Sequence, residues 1–241
     1  MKKLTANFFP AHEPKNGFIG MANITVANAM RLNGISVFDR GENGIGIAFP
    51  GYGEGENARS YVVPQSKEAY AAMCEVVAMA VSSENHFGYN KGDYGVRLEV
   101  SGKAVQEPYA DARFHCQVGD VCTLYGISTR EVSYEKDGAT KTFVSVDMPN
   151  IGSYDKDGEK QYRTAFEGRK STWTDKDGKE ASRDYAQLLT GLVLNERKEI
   201  IKEKGKSSFD DKLKDAEEKH KAAAKNQPEP SKDADRWEVP F

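Results

Sequence analysis

Arg163, Arg169, Lys170 and Arg183 interleave with Tyr154, Tyr162, Phe166, Trp173 and Tyr185. Cations beside flat rings suit an unpaired nucleic-acid strand. Phosphates pair with the charges, and each base stacked on a ring contributes roughly 1–3 kcal/mol. Trp173, among polar neighbours, suits a surface contact, whereas Tyr162 and Phe166 also suit a strand core. A second basic run, Arg197, Lys198, Lys202, Lys204 and Lys206, follows closely. The same charges would complement the C-terminal dipole of a helix.

Other chemistry finds little footing. His12, His86, His115 and His220 are scattered, and no HExxH, GxSxG or Walker pattern occurs. His115-Cys116 with Cys122 are ligand types, but alternation along a strand makes them packing residues. The three cysteines lack CxxC spacing, so they read as buried free thiols in a reducing cytoplasm rather than as a disulfide or zinc framework. Gly51-Tyr52-Gly53-Glu54-Gly55 lacks the Lys and following helix of a phosphate loop and reads as a hairpin tip. The expectation is a chain without catalytic set, cofactor or metal.

The elements that must position these residues follow from periodicity. Gly20–Val26, Ile35–Phe38 and Ile45–Phe49 read as strands, with Asn43-Gly44 as a type I′ turn. Ser60–Val63 is a short strand ended by Pro64. Ser66 caps a helix to Val81 whose apolar face is Ala69, Met73, Val76, Val77 and Ala80. The order then repeats. Ala112–Val118, Val121–Thr129 and Thr142–Met148 read as strands, with a turn at Asp137-Gly138. A loop spans Asn150–Glu159, and the segment Lys160–Phe166 follows it. A second polar turn at Asp175–Gly178 leads to a helix from about Ser182 to Lys204, with a stripe of Leu188, Leu189, Leu192, Val193, Ile200 and Ile201.

Residues recur as well as order. Gly34-Ile35-Ser36 returns as Gly126-Ile127-Ser128, Ala48-Phe49-Pro50 as Asp147-Met148-Pro149, and Arg59-Ser60-Tyr61 is echoed by Tyr162-Arg163-Thr164. An internal duplication is the inference. It divides the chain into unit 1 (1–83), a link (84–93), unit 2 (94–206) and a charged tail (207–241).

Within unit 1, Ala22–Val26, Gly34–Val37, Asn43-Gly44, Ile47–Pro50 and Tyr61–Pro64 together resemble the septation protein SpoVG family. The resemblance implies a small α+β fold that pairs through its sheet and binds DNA or RNA without catalysis. Two SpoVG-like units, each an antiparallel sheet plus a helix, would form an internal pseudo-dimer, followed by a disordered or partly helical tail. That family carries basic residues at the end of its helix. The first helix here ends without them, whereas the second has Arg197, Lys198, Lys202 and Lys204, so unit 2 is the expected binder.

The tail is charged to Lys225, passes Pro228 and Pro230, and ends in Asp233, Asp235, Trp237, Glu238, Val239, Pro240 and Phe241. This ending is similar to the acidic Pro-Phe tips of single-stranded DNA-binding proteins. Phe241 would fill a pocket, its carboxylate meeting a cation beside it.

With a net charge of -3, 38% hydrophobic and 29% charged residues, the 241-residue chain has no global basic field, so any anion site is a local patch. No apolar run nears the roughly 18 residues of a membrane span, and the N-terminal residues lack a signal-peptide core. A soluble, cytoplasmic protein is expected. The combined reading is a binder of single-stranded DNA or RNA in phage or mobile-element replication or recombination. Replication or recombination proteins would be recruited by its tip, and homo-oligomerisation stays open. An anti-CRISPR-type inhibitor of a host nuclease, acting by protein–protein binding, and a SpoVG-like duplex-DNA or RNA regulator are the alternatives. Deleting the residues after Gln227 should leave oligonucleotide affinity unchanged or raised, since the acids there compete with phosphate; fluorescence anisotropy on the truncated chain checks this.

Overall fold

Leu4, Ala6 and Phe8 are buried while Asn7 and Phe9 face outward, the period of two that makes a half-buried strand. The same alternation builds most of the protein, described by a computed structural model over residues 3–90, 96–107, 110–154, 160–174 and 177–203. In chain order the first elements are β1 (Leu4–Lys15), β2 (Phe18–Val26), β3 (Met30–Asp39), β4 (Ile45–Ala48), β5 (Gly51–Tyr52), β6 (Arg59–Ser60), β7 (Val62–Pro64), α1 (Lys67–Ser82) and β8 (Phe87–Asn90). There follow β9 (Leu98–Glu107), β10 (Ala110–Val118), β11 (Cys122–Lys136), β12 (Ala139–Asp147), β13 (Asn150–Tyr154), β14 (Lys160–Thr164) and β15 (Phe166–Gly168). Last come β16 (Lys170–Thr174), β17 (Glu180–Asp184) and the helix α2 (residues 185–203). The fold is α+β and its pairings are antiparallel. The chain divides into two compact units, Met1–Lys198 and Glu199–Phe241. Of the second, only residues 199–203 are described, and the tail from 204 lies outside the described residues. Among the described residues no helix is long and apolar enough to cross a membrane.

Two main sheets carry the core. One runs β15-β3-β2-β1-β8 with β4 also on β3, and the other runs β12-β11-β10-β9 with β7 also on β11. Leu4, Ile24, Leu32, Ile35 and Val37 are buried, as are Met73, Val76, Val77 and Ala80 of α1. Phe114, Cys116, Leu124 and Ile127 are buried in the second sheet, as are Leu189 and Val193 of α2. Ser66 caps α1 by accepting the Ala69 amide at 3.0 Å. Asp184 caps α2 by accepting the Ala186 and Gln187 amides at 3.0 and 3.1 Å.

Each sheet borrows a strand from the other half of the sequence. β7 lies on β11, with Val62 opposite Leu124, and β15 lies on β3, with Phe166 opposite Leu32. The supporting bonds correspond one for one. Tyr61 N donates to Pro50 O, Tyr125 N to Tyr61 O and Gln65 N to Val121 O, at 2.9, 2.8 and 3.0 Å. On the other side Ala165 N donates to Pro149 O, Asn33 N to Ala165 O and Arg169 N to Ala29 O, at 2.7, 2.8 and 2.8 Å. In both sheets the receiving strand carries a bulge, between Ala22 and Ile24 of the β2–β3 ladder and between Phe114 and His115 of β10–β11. Gly34 and Gly126 sit at these bulges with φ of +68° and +85°, a backbone region open to glycine and costly for other residues. Beyond the bulge the same strand edge turns to a new partner, β4 for β3 and β12 for β11.

The structure departs from the sequence reading in several places. The stretch 84–93, read as a link, contains β8, which pairs with β1. The boundaries at 83 and 94 fall inside one compact unit. Asn43-Gly44 is not a type I′ turn: a 3-10 turn over Gly41–Asn43 joins β3 to β4, with positive φ at Gly41 and Gly44. Asp137 and Gly138 both have positive φ, as that turn type requires. The loop from Asn150 begins as β13, paired with β14, and the second helix starts at 185 because Ser182 belongs to β17.

Phe166 is fully buried on its borrowed strand. Phe166→Ala should therefore cost about 3–5 kcal/mol and lower the midpoint of one cooperative urea transition for the whole of residues 1–198. Two separate transitions would contradict mutual strand exchange.

Candidate nucleic-acid interface

Alternation along β10 buries Ala112, Phe114, Cys116 and Val118 and turns Arg113, His115 and Gln117 outward. Register places Lys103 of β9 opposite Arg113, and Ser128 of β11 on its other side. The β11 bulge brings Tyr125 opposite His115. Their rings stack, with centroids 5.6 Å apart and planes at 24°. Tyr61, which precedes the borrowed β7, and Tyr52 of β5 bring a second pair, 5.2 Å apart at 31°. Together these groups line an open cleft of about 800 Å³, completed by Phe114, Gly126, Met148 and Pro149.

The cleft is aromatic and cationic. Tyr52 is 50% exposed and Tyr125 38%, so ring area is available to a ligand. Lys103, Arg113 and His115 line it, and among the described residues no carboxylate does. Gly126 allows the close packing at its base. A Cβ there would lie 3.0 Å from two ring atoms of Tyr61 and 3.4 Å from Pro149.

The corresponding place in the first half is built differently. By the matched register, Met21, Asn23 and Asn33 stand where Arg113, His115 and Tyr125 stand. Asn23 Oδ1 accepts the Gly34 amide at 3.2 Å, and Asn33 donates to Thr164 O at 3.0 Å. Ile151 covers Gly34 so closely that a Cβ there would meet its Cδ1 at 2.2 Å. That place lacks both the cations and the rings.

The residues singled out in the sequence fall elsewhere. Trp173 is exposed and shares one face of the β16–β17 hairpin with Arg183, through the pairs Ser171–Arg183 and Trp173–Ala181. Lys170 lies on the other face, opposite Asp184. Tyr162 and Arg163 are both exposed, but adjacent on β14 they point to opposite faces. Arg169 is exposed, and its backbone bonds to Ala29 and Tyr185. Phe166 and Tyr185 are interior, so neither offers a ring to a base. Arg197 is committed to Glu131 at 3.1 Å, its side chain only 11% exposed. Lys198 is exposed, and Lys202 pairs with Glu199 at 2.6 Å. The side chain of Tyr154, Lys204 and the tip residues Asp233, Asp235, Trp237, Glu238, Val239, Pro240 and Phe241 lie outside the described residues.

His115, expected to pack with the cysteines, instead points outward. Cys116 and Cys122 are buried. Burial pushes the Cys116 thiol up to about 12, against a smaller pull from the Glu99 backbone, and burial likewise raises Cys122. Both therefore stay protonated at neutral pH and are poor nucleophiles or ligands. Among the described residues no group of three His, Cys, Asp or Glu is placed to hold a metal. No family model, no curated protein and no solved structure matches this chain.

Gly126→Ala should destabilise the protein by more than Gly138→Ala. Both have positive φ, worth roughly 1–2 kcal/mol against a side chain, but Gly138 faces open space whereas Gly126 meets Tyr61. Equal urea midpoints for the two variants would show that the Tyr61 ring does not depend on that close approach.

Proposed function

We propose that this protein binds single-stranded nucleic acid, without chemistry, in the cleft between β9–β11 and the Tyr52–Tyr61 pair. One observation carries the reading: a stacked His115–Tyr125 pair, a tilted Tyr52–Tyr61 pair and the side chains of Lys103 and Arg113 line one open cleft. Rings of this exposure suit the faces of unpaired bases, which a duplex keeps stacked on each other. Cations on the adjoining strands suit the phosphates between those bases. The site thus moves from the β13–β17 region to the outer face of β9–β11, with Trp173 and Arg183 as a separate exposed pair.

We further propose that residues 1–198 are a tandem pseudo-dimer of SpoVG-like units. The reciprocal pairing of β7 with β11 and β15 with β3 supports it, as do the matching bonds at Pro50 and Pro149 and the matching bulges at Gly34 and Gly126. Fusing two halves holds each borrowed strand at high effective concentration beside its acceptor. In this reading the second half keeps the binding face, and the first half, with Ile151 over Gly34, serves as its scaffold. A role in phage or mobile-element replication, with the Pro-Phe tip recruiting partner proteins, completes the proposal and rests on the sequence of the tail.

Anisotropy with labelled single-stranded and duplex oligonucleotides tests the function. Wild type should prefer the single strand and weaken as salt rises. Tyr125→Ala should lose roughly 1–3 kcal/mol, on the order of 5- to 150-fold in affinity. Lys103→Gln should reduce the salt slope by about one. No binding at low salt, or tighter binding to duplex, would contradict the proposal.

A further inference from the structure

Beyond Ser128 and Asp147 the β11–β12 hairpin continues as a two-stranded ribbon, with Arg130, Glu131 and Ser133–Phe143 exposed. Its two faces differ in chemistry. The registered pairs Arg130–Ser145, Val132–Phe143, Tyr134–Lys141 and Lys136–Ala139 place Arg130, Tyr134, Lys136, Lys141 and Phe143 on one face. Glu131 and Glu135 fall on the other, among Thr129, Ser133, Thr140 and Thr142. The acidic face is turned to α2 at its base, where Glu131 holds Arg197. On the cationic face Tyr134 and Phe143 form an edge-to-face pair 5.9 Å apart, although they are 45% and 50% exposed.

That face is continuous with the cleft. Ser128 lines the cleft beside Arg113, and stepping two residues at a time along β11 leads from Ser128 to Arg130, Val132, Tyr134 and Lys136 on the same side. Arg130 is balanced by Asp147 at 2.7 Å. Lys136 and Lys141 beside the aromatic pair therefore form the outer basic cluster. From Ser128 to Lys136 the strand rises roughly 27 Å. A structural role alone would not require the sorting, since an edge-to-face pair stabilises a ribbon whatever charges share its face.

We infer that this ribbon is a second grip for the same single strand, with Tyr134 and Phe143 stacking on bases and Lys136 and Lys141 meeting phosphates beyond the cleft. The inference rests on the cleft reading and adds to it a longer footprint. It is tested with oligothymidines of roughly 5 and roughly 15 nucleotides, near the two ends of the usual site-size range. Two ribbon variants are used, Tyr134→Ala with Phe143→Ala, and Lys136→Gln with Lys141→Gln; the second leaves the aromatic pair in place should the first disturb the ribbon.

Both variants should bind the short oligonucleotide as wild type does and lose about tenfold or more on the long one. The lysine pair should also reduce the salt slope by about two on the long one only. Wild-type affinity of both variants for the long oligonucleotide would overturn the inference and leave the cleft reading standing. Equal losses on short and long would overturn it too, because the ribbon would then not be distal to the cleft. Failure of wild type to bind either length would remove the cleft reading and this inference with it.

Discussion

Exchange of two short strands, each pairing three residues with its acceptor, fixes the rest of the architecture. β7 must reach β11 and β15 must reach β3, and each acceptor must give up part of one edge to the visitor and the remainder to its own neighbour. A straight strand cannot turn that edge between two partners without a local twist, which the bulges at Gly34 and Gly126 supply. Val62 and Phe166 then enter the core on the visiting strands, so neither half buries its apolar surface without the other.

The cleft follows from that exchange. Tyr61 lies at the entry to β7, and its carbonyl accepts the Tyr125 amide. Docking the strand therefore sets Tyr61 and Tyr52 beside Tyr125, His115 and Arg113. The same topology on the other side puts Ile151 against Gly34 and leaves amide side chains satisfied by backbone partners. Matched backbone geometry thus carries two unlike surfaces, one closed over by Ile151 with its amides satisfied, the other open with rings and cations. Only the second has the chemistry to hold a base and its phosphate, which gives the proposed binding a direction, from the cleft out along the β11–β12 ribbon.

Much of the scaffold was legible in the sequence. Ser66 as cap and Ala69, Met73, Val76, Val77 and Ala80 as the buried face of α1 emerge as read, because a cap and a 3.6-residue period are local signals. Asp137-Gly138 likewise encodes its own turn. The echoes Gly34-Ile35-Ser36 and Gly126-Ile127-Ser128 mark the two bulges, and Pro50 and Pro149 mark the two equivalent carbonyls. β1 is obscured because Pro10, Glu13 and Pro14 interrupt its pattern, and β8 is hidden by the Gly88 and Asn90 that make it resemble a link. The cleft could not be read locally. Tyr52 and Tyr61 meet Lys103, Arg113 and Tyr125 only through long-range pairing, whereas the Tyr154–Tyr185 segment looked like a site because its cations and rings are neighbours in sequence. Strand alternation sends Tyr162 and Arg163 to opposite faces, and burial removes Phe166 and Tyr185.

The account stands or falls on where unpaired bases rest. Ultraviolet crosslinking of a single strand carrying halogenated uracils, followed by mass spectrometry of the crosslinked peptides, locates them directly. Crosslinks at Tyr52, Tyr61, His115 and Tyr125 are the expected result. Crosslinks confined to Trp173 and Tyr162, with the cleft residues unmodified, would contradict it.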